Sequence, residues 1–263
     1  MLDTIMRSDG ICALCGACAS LCASHIIPEM CYRPIYQTVG SDRRMGLLID
    51  EDVRYAKPYL RKGLRHPLLC LSCEGFIQRE YEDPFARYWM SGRCTSGYIT
   101  TDEQRVQVYD YRTFKLFHLA VLWRAGVTAA RFGCVNLWNE VKIKRHEPRL
   151  RDMLLRGDPG PPSAYAILGR ITIHPSRPHV WSPKAISLPV SVSINRIPGY
   201  EVMFAGARWL WCCSSHVPNE ILAHALSEDG TIPMTACSLF DEDIMDLYRA
   251  NRHRLGRLSR CAL

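Results

Sequence analysis

The first strong pattern of apolar and polar positions covers residues 74–90, which read EGFIQREYEDPFARYWM. Phe76, Ile77 and Tyr81 recur at helical spacing, so this stretch is predicted to form a helix with one apolar face. Proline lacks an N–H group, and its ring clashes with the preceding turn of a helix. Pro84 is therefore expected to kink or end the helix.

Two further helices are predicted in the middle of the chain. Residues 109–127 form a buried helix, whose apolar side chains recur at three and four positions: Phe114, Phe117, Val121 and Leu122. Residues 146–157 form an amphipathic helix with Pro148 near its start and Gly157 as its C-cap. The following GDPGPPS sequence breaks the chain.

Strand-like runs follow, rich in β-branched and aromatic residues, over 165–173, 185–194 and 200–213. A last helix is predicted over 241–253, because acids open this stretch and bases close it, as the helix dipole prefers. Helices, then strands, then a helix is the order of an α+β fold and not of a parallel α/β sheet.

The polar, glycine-containing stretch SGRCTSGYITTD is the predicted linker between two domains. Residues 1–95 hold closely spaced cysteines and are predicted to form a metal-organised module. Residues 96–263 are predicted to form an α+β accessory domain, with helices followed by antiparallel strands. No chemical motif marks this second region, and a protein partner is one of the partners considered for it.

Composition narrows the classes of protein that fit. Thirteen cysteines cannot all pair as disulfides, and nothing in the sequence marks the chain for export, so a reducing cytoplasm is the expected location. No run of apolar residues is long enough to span a bilayer, so no membrane partner is expected. A net charge of +7 favours a polyanion such as nucleic acid. Basic residues cluster around Arg61, Lys62 and Arg65 and again in the C-terminal tail.

The stretch CALCGACASLC, residues 12–22, allows two metals. Its four thiols have the spacing of a bacterial four-iron cluster, which predicts an iron–sulfur electron carrier. In two-cluster proteins, however, the fourth cysteine of such a run binds the other cluster. This chain has no second run, and Ala23 stands where a proline usually follows, so the iron–sulfur interpretation requires a single cluster that a remote cysteine completes.

The zinc interpretation uses a second pair, Cys70 and Cys73, with Cys12 and Cys15 as the other half of a four-thiolate site. The chain between Cys15 and Cys70 is longer than the usual spacer between such pairs. The extra free-energy cost of closing this loop is only about 1 kcal/mol. Structural zinc contributes on the order of 10 kcal/mol. Three more cysteines are then not needed as ligands: Cys18, Cys22 and Cys31. They are predicted to be small buried residues, unless Cys18 or Cys22 replaces one of the four ligands.

A family resemblance rests on CALCG, on SHIIPEMCYRPIYQ, and on RKGLRHPLLCLSCEGFIQREYE. In this order, these motifs resemble the bacterial HNH endonuclease-like family, and in particular its uncharacterised members with SHIIP, KGL and LLCxxCE. The match covers residues 12 to about 82. It implies a zinc-stabilised treble-clef or ββα-metal module, with a divalent ion beside the structural zinc.

The resemblance also implies site residues. His25, just before Ile-Ile-Pro, would be the general base that takes a proton from water; the alternative is a histidine bonded inside a turn. Glu74, with Glu82 further along the same helical face, would hold Mg²⁺ or Mn²⁺. Glu80 and Glu82 fit equally well as solvated charges of that helix.

Three positions depart from the family's pattern. Ser24 stands where an Asp or His ligand is common, and Arg65 and His66 stand where an Asn is expected. Glu74 takes the place of an Asn or His ligand. The zinc half of the module thus matches the family, while the catalytic half is altered.

Two functions from different classes follow. The first is a metal-dependent endonuclease that cuts DNA or RNA, with phosphate contacts from Arg61, Lys62 and Arg65. The second is a zinc-stabilised module that binds nucleic acid or protein without cutting. The iron–sulfur electron carrier is the third.

Overall fold

The fold is described from a computed structural model for residues 8–39, 42–45, 63, 65–92, 102–132, 140–174, 177–183, 185–187 and 189–238. Besides the predicted phosphate contacts of Arg61 and Lys62, three predictions fall wholly or largely outside these ranges. They are the final helix over 241–253, the basic C-terminal tail, and the connection over 91–102, of which only residues 91, 92 and 102 are described.

The first part of the chain contains these elements: β1 (Ser8–Ile11), β2 (Cys18–His25), α1 (Glu29–Tyr32), a 3-10 turn (Arg33–Ile35), β3 (Tyr36–Val39), β4 (Asp42–Met45), β5 (Arg65–Cys70), α2 (Leu71–Ile77), a π-helical turn (Gln78–Glu82) and α3 (Asp83–Tyr88). Strands β1, β2 and β5 form an antiparallel sheet in that order, and β3 pairs with β4.

The predicted helix over 74–90 is present, but Pro84 does not end it. The helix runs from α2 through the π turn into α3, and Pro84 lies in the first positions of α3. The Asp83 N–H bonds to the Gln78 carbonyl five residues back, so the wide turn interrupts the regular bonding just before the proline. At the start of a helical segment, a missing N–H is tolerated.

The second part of the chain contains these elements: β6 (Gln104–Gln107), α4 (Tyr111–Phe132), α5 (Glu140–Arg156), β7 (Ile167–His174), β8 (Arg177–Trp181), β9 (Val190–Ile194), β10 (Ile197–Phe204), β11 (Ala207–Cys212), α6 (Asn219–Leu222) and β12 (Thr231–Ser238). The strands form one sheet in the order β6-β12-β7-β11-β10-β9, with β8 also paired to β7. The α+β class is thus confirmed.

The prediction of antiparallel strands holds for all pairs of this sheet except one. Strands β12 and β7 run parallel, with Met234 opposite Gly169. The run predicted over 200–213 is a hairpin of β10 and β11, closed by Ala205 and Gly206 at φ values of 54° and 73°. Two consecutive residues at positive φ make the tight turn whose twist matches the strands.

Both central helices are longer than predicted. Helix α4 continues to Phe132, and α5 begins at Glu140, so Pro148 lies inside it rather than near its start. Pro148 is exposed, so it lies on the solvent side of the helix, where water can replace the hydrogen bond that a proline cannot donate. Gly157 adopts a φ of 63° directly after α5, as expected of a C-cap.

One core cluster contains residues from both parts of the chain. Phe85 of α3 stacks on Phe117 of α4 with ring centroids 3.7 Å apart. The Trp89 Nε1–H donates a 2.8 Å hydrogen bond to the Ala205 carbonyl in the β10–β11 turn. The helix that follows the second cysteine pair is thereby packed against α4 and the large sheet. The predicted division near residue 95 stays a prediction.

No helix within the described ranges combines the length and the apolar character needed to cross a membrane.

Candidate metal centre

The first cysteine pair lies in a tight turn between β1 and β2. The Cys12 N–H donates to the Ala17 carbonyl at 2.8 Å, and the Gly16 N–H donates to the Cys12 carbonyl at 2.9 Å. Gly16 has a φ of 79°, a backbone conformation that side chains with a Cβ disfavour. The CALCG sequence thus forms a knuckle, residues 12–16, that presents both thiols on one side.

The second pair lies where a strand becomes a helix. Cys70 ends β5 and faces Leu21 in the β2–β5 ladder, while Cys73 lies in the first turn of α2. The Cys70 N–H donates to Cys12 Sγ at 3.3 Å, so the backbone at the helix start already contacts the knuckle.

The four sulfur atoms converge. The Sγ atoms of Cys12, Cys15, Cys70 and Cys73 all lie within 4.8 Å of one another, and Cys15 Sγ is 3.9 Å from Cys70 Sγ. A tetrahedral zinc ion with Zn–S bonds of about 2.3 Å requires sulfur atoms roughly 3.8 Å apart. The donor set and its spacing fit structural zinc, and four protein ligands leave no position for a substrate.

The thiols of this cluster differ in pKa. Burial alone raises the pKa of Cys12, but backbone N–H groups of Cys15, Cys70 and Leu14 donate to its sulfur and lower the pKa to about 7. Burial, followed by the neighbouring sulfur atoms, raises the pKa of Cys73. Four adjacent thiols cannot all ionise without a compensating charge, which a bound Zn²⁺ would supply.

The remaining cysteines of the N-terminal run do not join this group. Within the described residues, the sulfur cluster contains neither Cys18 nor Cys22, on which a four-iron site in residues 12–22 depends. Cys31 is buried, as predicted, whereas Cys18 is exposed and Cys22 is half-buried. The prediction that all three are buried is wrong for Cys18, which begins β2 on an exposed side of the hairpin.

A second polar group lies beside the sulfur cluster, at the start of α2. The buried Ser24 hydroxyl of β2 donates a 2.6 Å hydrogen bond to Glu74 Oε2, adjacent in sequence to Cys73. His25, the next residue of β2, is half-buried, with its ring centroid 6.4 Å from that of Tyr32. The structure therefore brings the predicted Glu74 next to the strand that carries the predicted His25.

His66, which the sequence marked only as a departure from the family's pattern, lies beside this group. It lies directly opposite Ser24 in the β2–β5 ladder, so both side chains project from the same face of the hairpin. Burial lowers the pKa of His66, which favours the neutral imidazole. Its position four residues before Cys70, close to where the family has an Asn, was the available signal.

Other predicted site residues lie elsewhere. Glu82, in the π turn, forms an ion pair with the buried Arg124 of α4, with Oε1 and Nη2 2.7 Å apart but not aligned as a hydrogen bond. Arg65 is exposed and lies opposite His25 in the ladder. Arg61 and Lys62 fall outside the described residues.

Comparisons with protein-family models, curated proteins and solved structures yield no match.

Proposed function

We propose that this chain is an HNH-like, metal-dependent endonuclease with a zinc-stabilised treble-clef module. The observation that carries the proposal is the 2.6 Å contact between Ser24 and Glu74, one residue from His25 and one residue from the zinc ligand Cys73. Two antiparallel strands and a helix, β2, β5 and α2, supply these residues, as in the ββα arrangement that the resemblance implies.

The zinc site and the proposed hydrolytic site share the start of α2. Zinc binding at Cys70 and Cys73 would hold this helix against the β1–β2 hairpin and so fix the position of Glu74. The Ser24 hydroxyl donates to Oε2, which orients the carboxylate and leaves Oε1 for another partner. A site that is held rigidly in this way is what catalysis by positioning requires.

The residues that would hold Mg²⁺ or Mn²⁺ are Glu74, through its carboxylate, and His66, through its imidazole. A bound divalent ion would stabilise the charge that develops on the leaving oxygen of a phosphodiester. His25 takes the proton from the attacking water. Arg65, exposed across the ladder from His25, contacts a phosphate of the nucleic acid.

One observation favours the second function, a binding module that does not cut. Of the two carboxylates predicted to hold the catalytic ion, Glu82 is engaged by Arg124 instead. Ser24 is also a weaker ligand than the Asp or His of the family. On this alternative, the Ser24–Glu74 bond is a structural contact, and the net charge of +7 serves nucleic-acid binding.

The test is a plasmid-nicking assay with Mg²⁺ or Mn²⁺ on the full chain and three variants purified in the same way. We expect His25→Ala and Glu74→Gln to lose about 100-fold or more of the activity, the range of a removed general base or ion site. Glu80→Gln changes an exposed carboxylate of the same helical segment and is expected to retain it. Zinc content and thermal unfolding are measured for each variant.

Equal nicking by all four proteins would remove His25 and Glu74 from the reaction and overturn the proposal. Absence of nicking with any metal, together with salt-dependent DNA binding by all four, would favour the binding module. A brown, iron-containing protein would instead favour the electron carrier.

A further inference from the structure

A cavity of about 360 Å³ opens between the cysteine knuckle and helices α4 and α5. Ile11, Cys12, Ala13 and Gly16 form the knuckle side, and the facing residues of α4 and α5 form the other sides. None of the residues proposed for hydrolysis lines this cavity. The cavity is therefore separate from the proposed hydrolytic site.

One wall of the cavity is apolar and built from small side chains. Gly126, Val127 and Ala130 of α4 line it, together with Leu150 of α5. Ile11, at the end of β1, also lines the cavity and is 62% exposed, which is unusual for a large apolar side chain. Such a wall is suited to the flat, apolar part of a small molecule.

The cavity is also positively charged, because three basic side chains line it: Arg131, Lys144 and Arg151. Arg131 Nη1 donates to the Ile11 carbonyl at 2.9 Å, and Arg151 Nε donates to the Leu14 carbonyl at 2.5 Å. Each guanidinium has five N–H groups, so these bonds hold it in place and leave donors for a further partner. Fixed guanidinium groups with an ammonium beside them are suited to phosphate.

The cavity also contains one carboxylate, that of Glu147. Trp123 Nε1 donates to Glu147 Oε1 at 3.0 Å, which fixes the carboxylate at the cavity wall. Its other oxygen can accept a hydrogen bond from an amino or hydroxyl group of a ligand. The cavity thus combines a basic side, an apolar wall and a hydrogen-bond acceptor.

We propose that this cavity binds a nucleotide. The phosphate lies among Arg131, Lys144 and Arg151, the base packs on the apolar wall, and Glu147 accepts a hydrogen bond from the sugar or base. The volume falls in the range of small-molecule sites, and an isolated inorganic anion would leave the apolar wall uncovered. The nucleotide is either free or the phosphorylated end of a nucleic-acid strand. This proposal does not depend on the proposed hydrolysis.

Calorimetric titration of the zinc-loaded chain with the four nucleoside 5′-monophosphates tests the proposal, with adenosine and inorganic phosphate as partial ligands. At least one monophosphate is expected to bind saturably. Each partial ligand is expected to have an affinity at least about tenfold lower than that monophosphate. Oligonucleotides with and without a 5′-phosphate distinguish the two sources. Tighter binding of the phosphorylated strand identifies a strand end, and equal binding identifies the free nucleotide.

Two variants locate the binding. Lys144→Ala removes one phosphate contact and is expected to weaken binding about tenfold, the effect of one charge-assisted hydrogen bond. Ala130→Trp fills the cavity from an exposed position on α4 and is expected to abolish binding. The matched control is Arg145→Ala, which removes an exposed positive charge next to Lys144 but outside the cavity lining.

The proposal is overturned if no monophosphate binds at millimolar concentration, or if Ala130→Trp binds as tightly as the parent. Zinc content and unfolding temperature are measured for each variant to establish that it is folded. Glu74→Gln separates this proposal from the hydrolytic one, since it should lose nicking and keep nucleotide binding. Failure of one proposal therefore leaves the other testable.

Discussion

Cys15 Sγ lies 3.9 Å from Cys70 Sγ, although the two residues are 55 positions apart in the chain. The contact joins the knuckle between β1 and β2 to the strand–helix junction of β5 and α2. It depends on the antiparallel pairing of β2 with β5, which brings Leu21 opposite Cys70. The metal centre and the N-terminal sheet therefore depend on each other.

The purified protein is expected to be colourless and to contain about one zinc ion per chain, as determined by elemental analysis. Cys70→Ser removes one of four ligands and should release the zinc and unfold the N-terminal sheet, since such sites contribute on the order of 10 kcal/mol. Circular dichroism and thermal unfolding report the loss.

Cys18→Ser is the matched control, because Cys18 is exposed and lies outside the sulfur cluster. It should keep both the zinc and the unfolding temperature. Loss of metal from Cys18→Ser with retention by Cys70→Ser would contradict the assigned ligands.

The ion pair of Glu82 with Arg124 is expected to matter for stability because it is largely removed from water. Arg124 is 1% exposed and Glu82 is 17% exposed. Arg124→Met leaves a carboxylate without its partner in this environment and should destabilise the protein by about 3 kcal/mol in urea unfolding. The double variant Arg124→Met with Glu82→Gln should recover part of this loss.

The exposed pair of Arg156 with Asp152 on α5 provides the comparison. Arg156→Met should change the unfolding free energy by less than about 0.5 kcal/mol. Similar losses from Arg124→Met and Arg156→Met would show that burial of the first pair has no energetic consequence.

Lys115 of α4 is expected to make the free energy of unfolding depend on pH in a specific way. Burial lowers the pKa of Lys115 from 10.5 to about 7, even though Asp158 and Glu228 oppose this shift and Arg149 adds to it. Its ammonium donates to the Pro161 carbonyl at 2.6 Å and to the Tyr111 hydroxyl at 3.0 Å. Between pH 7 and 10.5 the unfolded chain therefore binds more protons at this residue than the folded chain does.

The contribution of Lys115 to stability therefore rises with pH in that window, because the unfolded state is the one that binds more protons at this residue. Between pH 6.5 and 8.5 the gain from Lys115 is about 2 kcal/mol, at 1.36 kcal/mol per pKa unit. The unfolding free energy of the parent minus that of Lys115→Met should increase by this amount over the range. Lys144→Met changes an exposed lysine and should show no such increase; equal slopes for both variants would refute the assignment.

Gly206 is expected to be intolerant of a side chain. A Cβ at this position would lie 2.0 Å from Trp181 Nε1, and the backbone φ is 73°. Gly206→Ala should destabilise the protein by about 3 kcal/mol, from the left-handed conformation and the forced movement of Trp181. Ala205→Gly, at the neighbouring turn position with a φ of 54°, should be neutral or slightly stabilising in the same unfolding measurement.

The elements that the sequence predicted well are those whose patterns are local. Phe114, Phe117 and Val121 recur along α4 and mark it as a helix without knowledge of its neighbours. In contrast, Pro233 within β12 argues against a strand, and β6 has only four residues. These two strands are recognisable only from their pairing with each other and, for β12, with β7.

The same division applies to the metal centre. The CxxC spacing of each pair is a local property, and it was sufficient to predict which four cysteines bring their sulfur atoms together in the structure. The partners of Ser24 and Glu82 were not predictable in this way. Glu82 follows Glu74 at helical spacing, yet the wide π turn lies between them, and Glu82 contacts Arg124 on another helix.

By itself, the sequence determined the α+β class, the two thiol pairs and most of the helices, because these depend on residue types and short spacings. Only the tertiary structure decided that Ser24 meets Glu74 and faces His66, since this depends on the register of β2 and β5 around the irregularity between Cys22 and Ala23. A shift of one residue in a strand moves every side chain to the other face, and no local pattern specifies that choice.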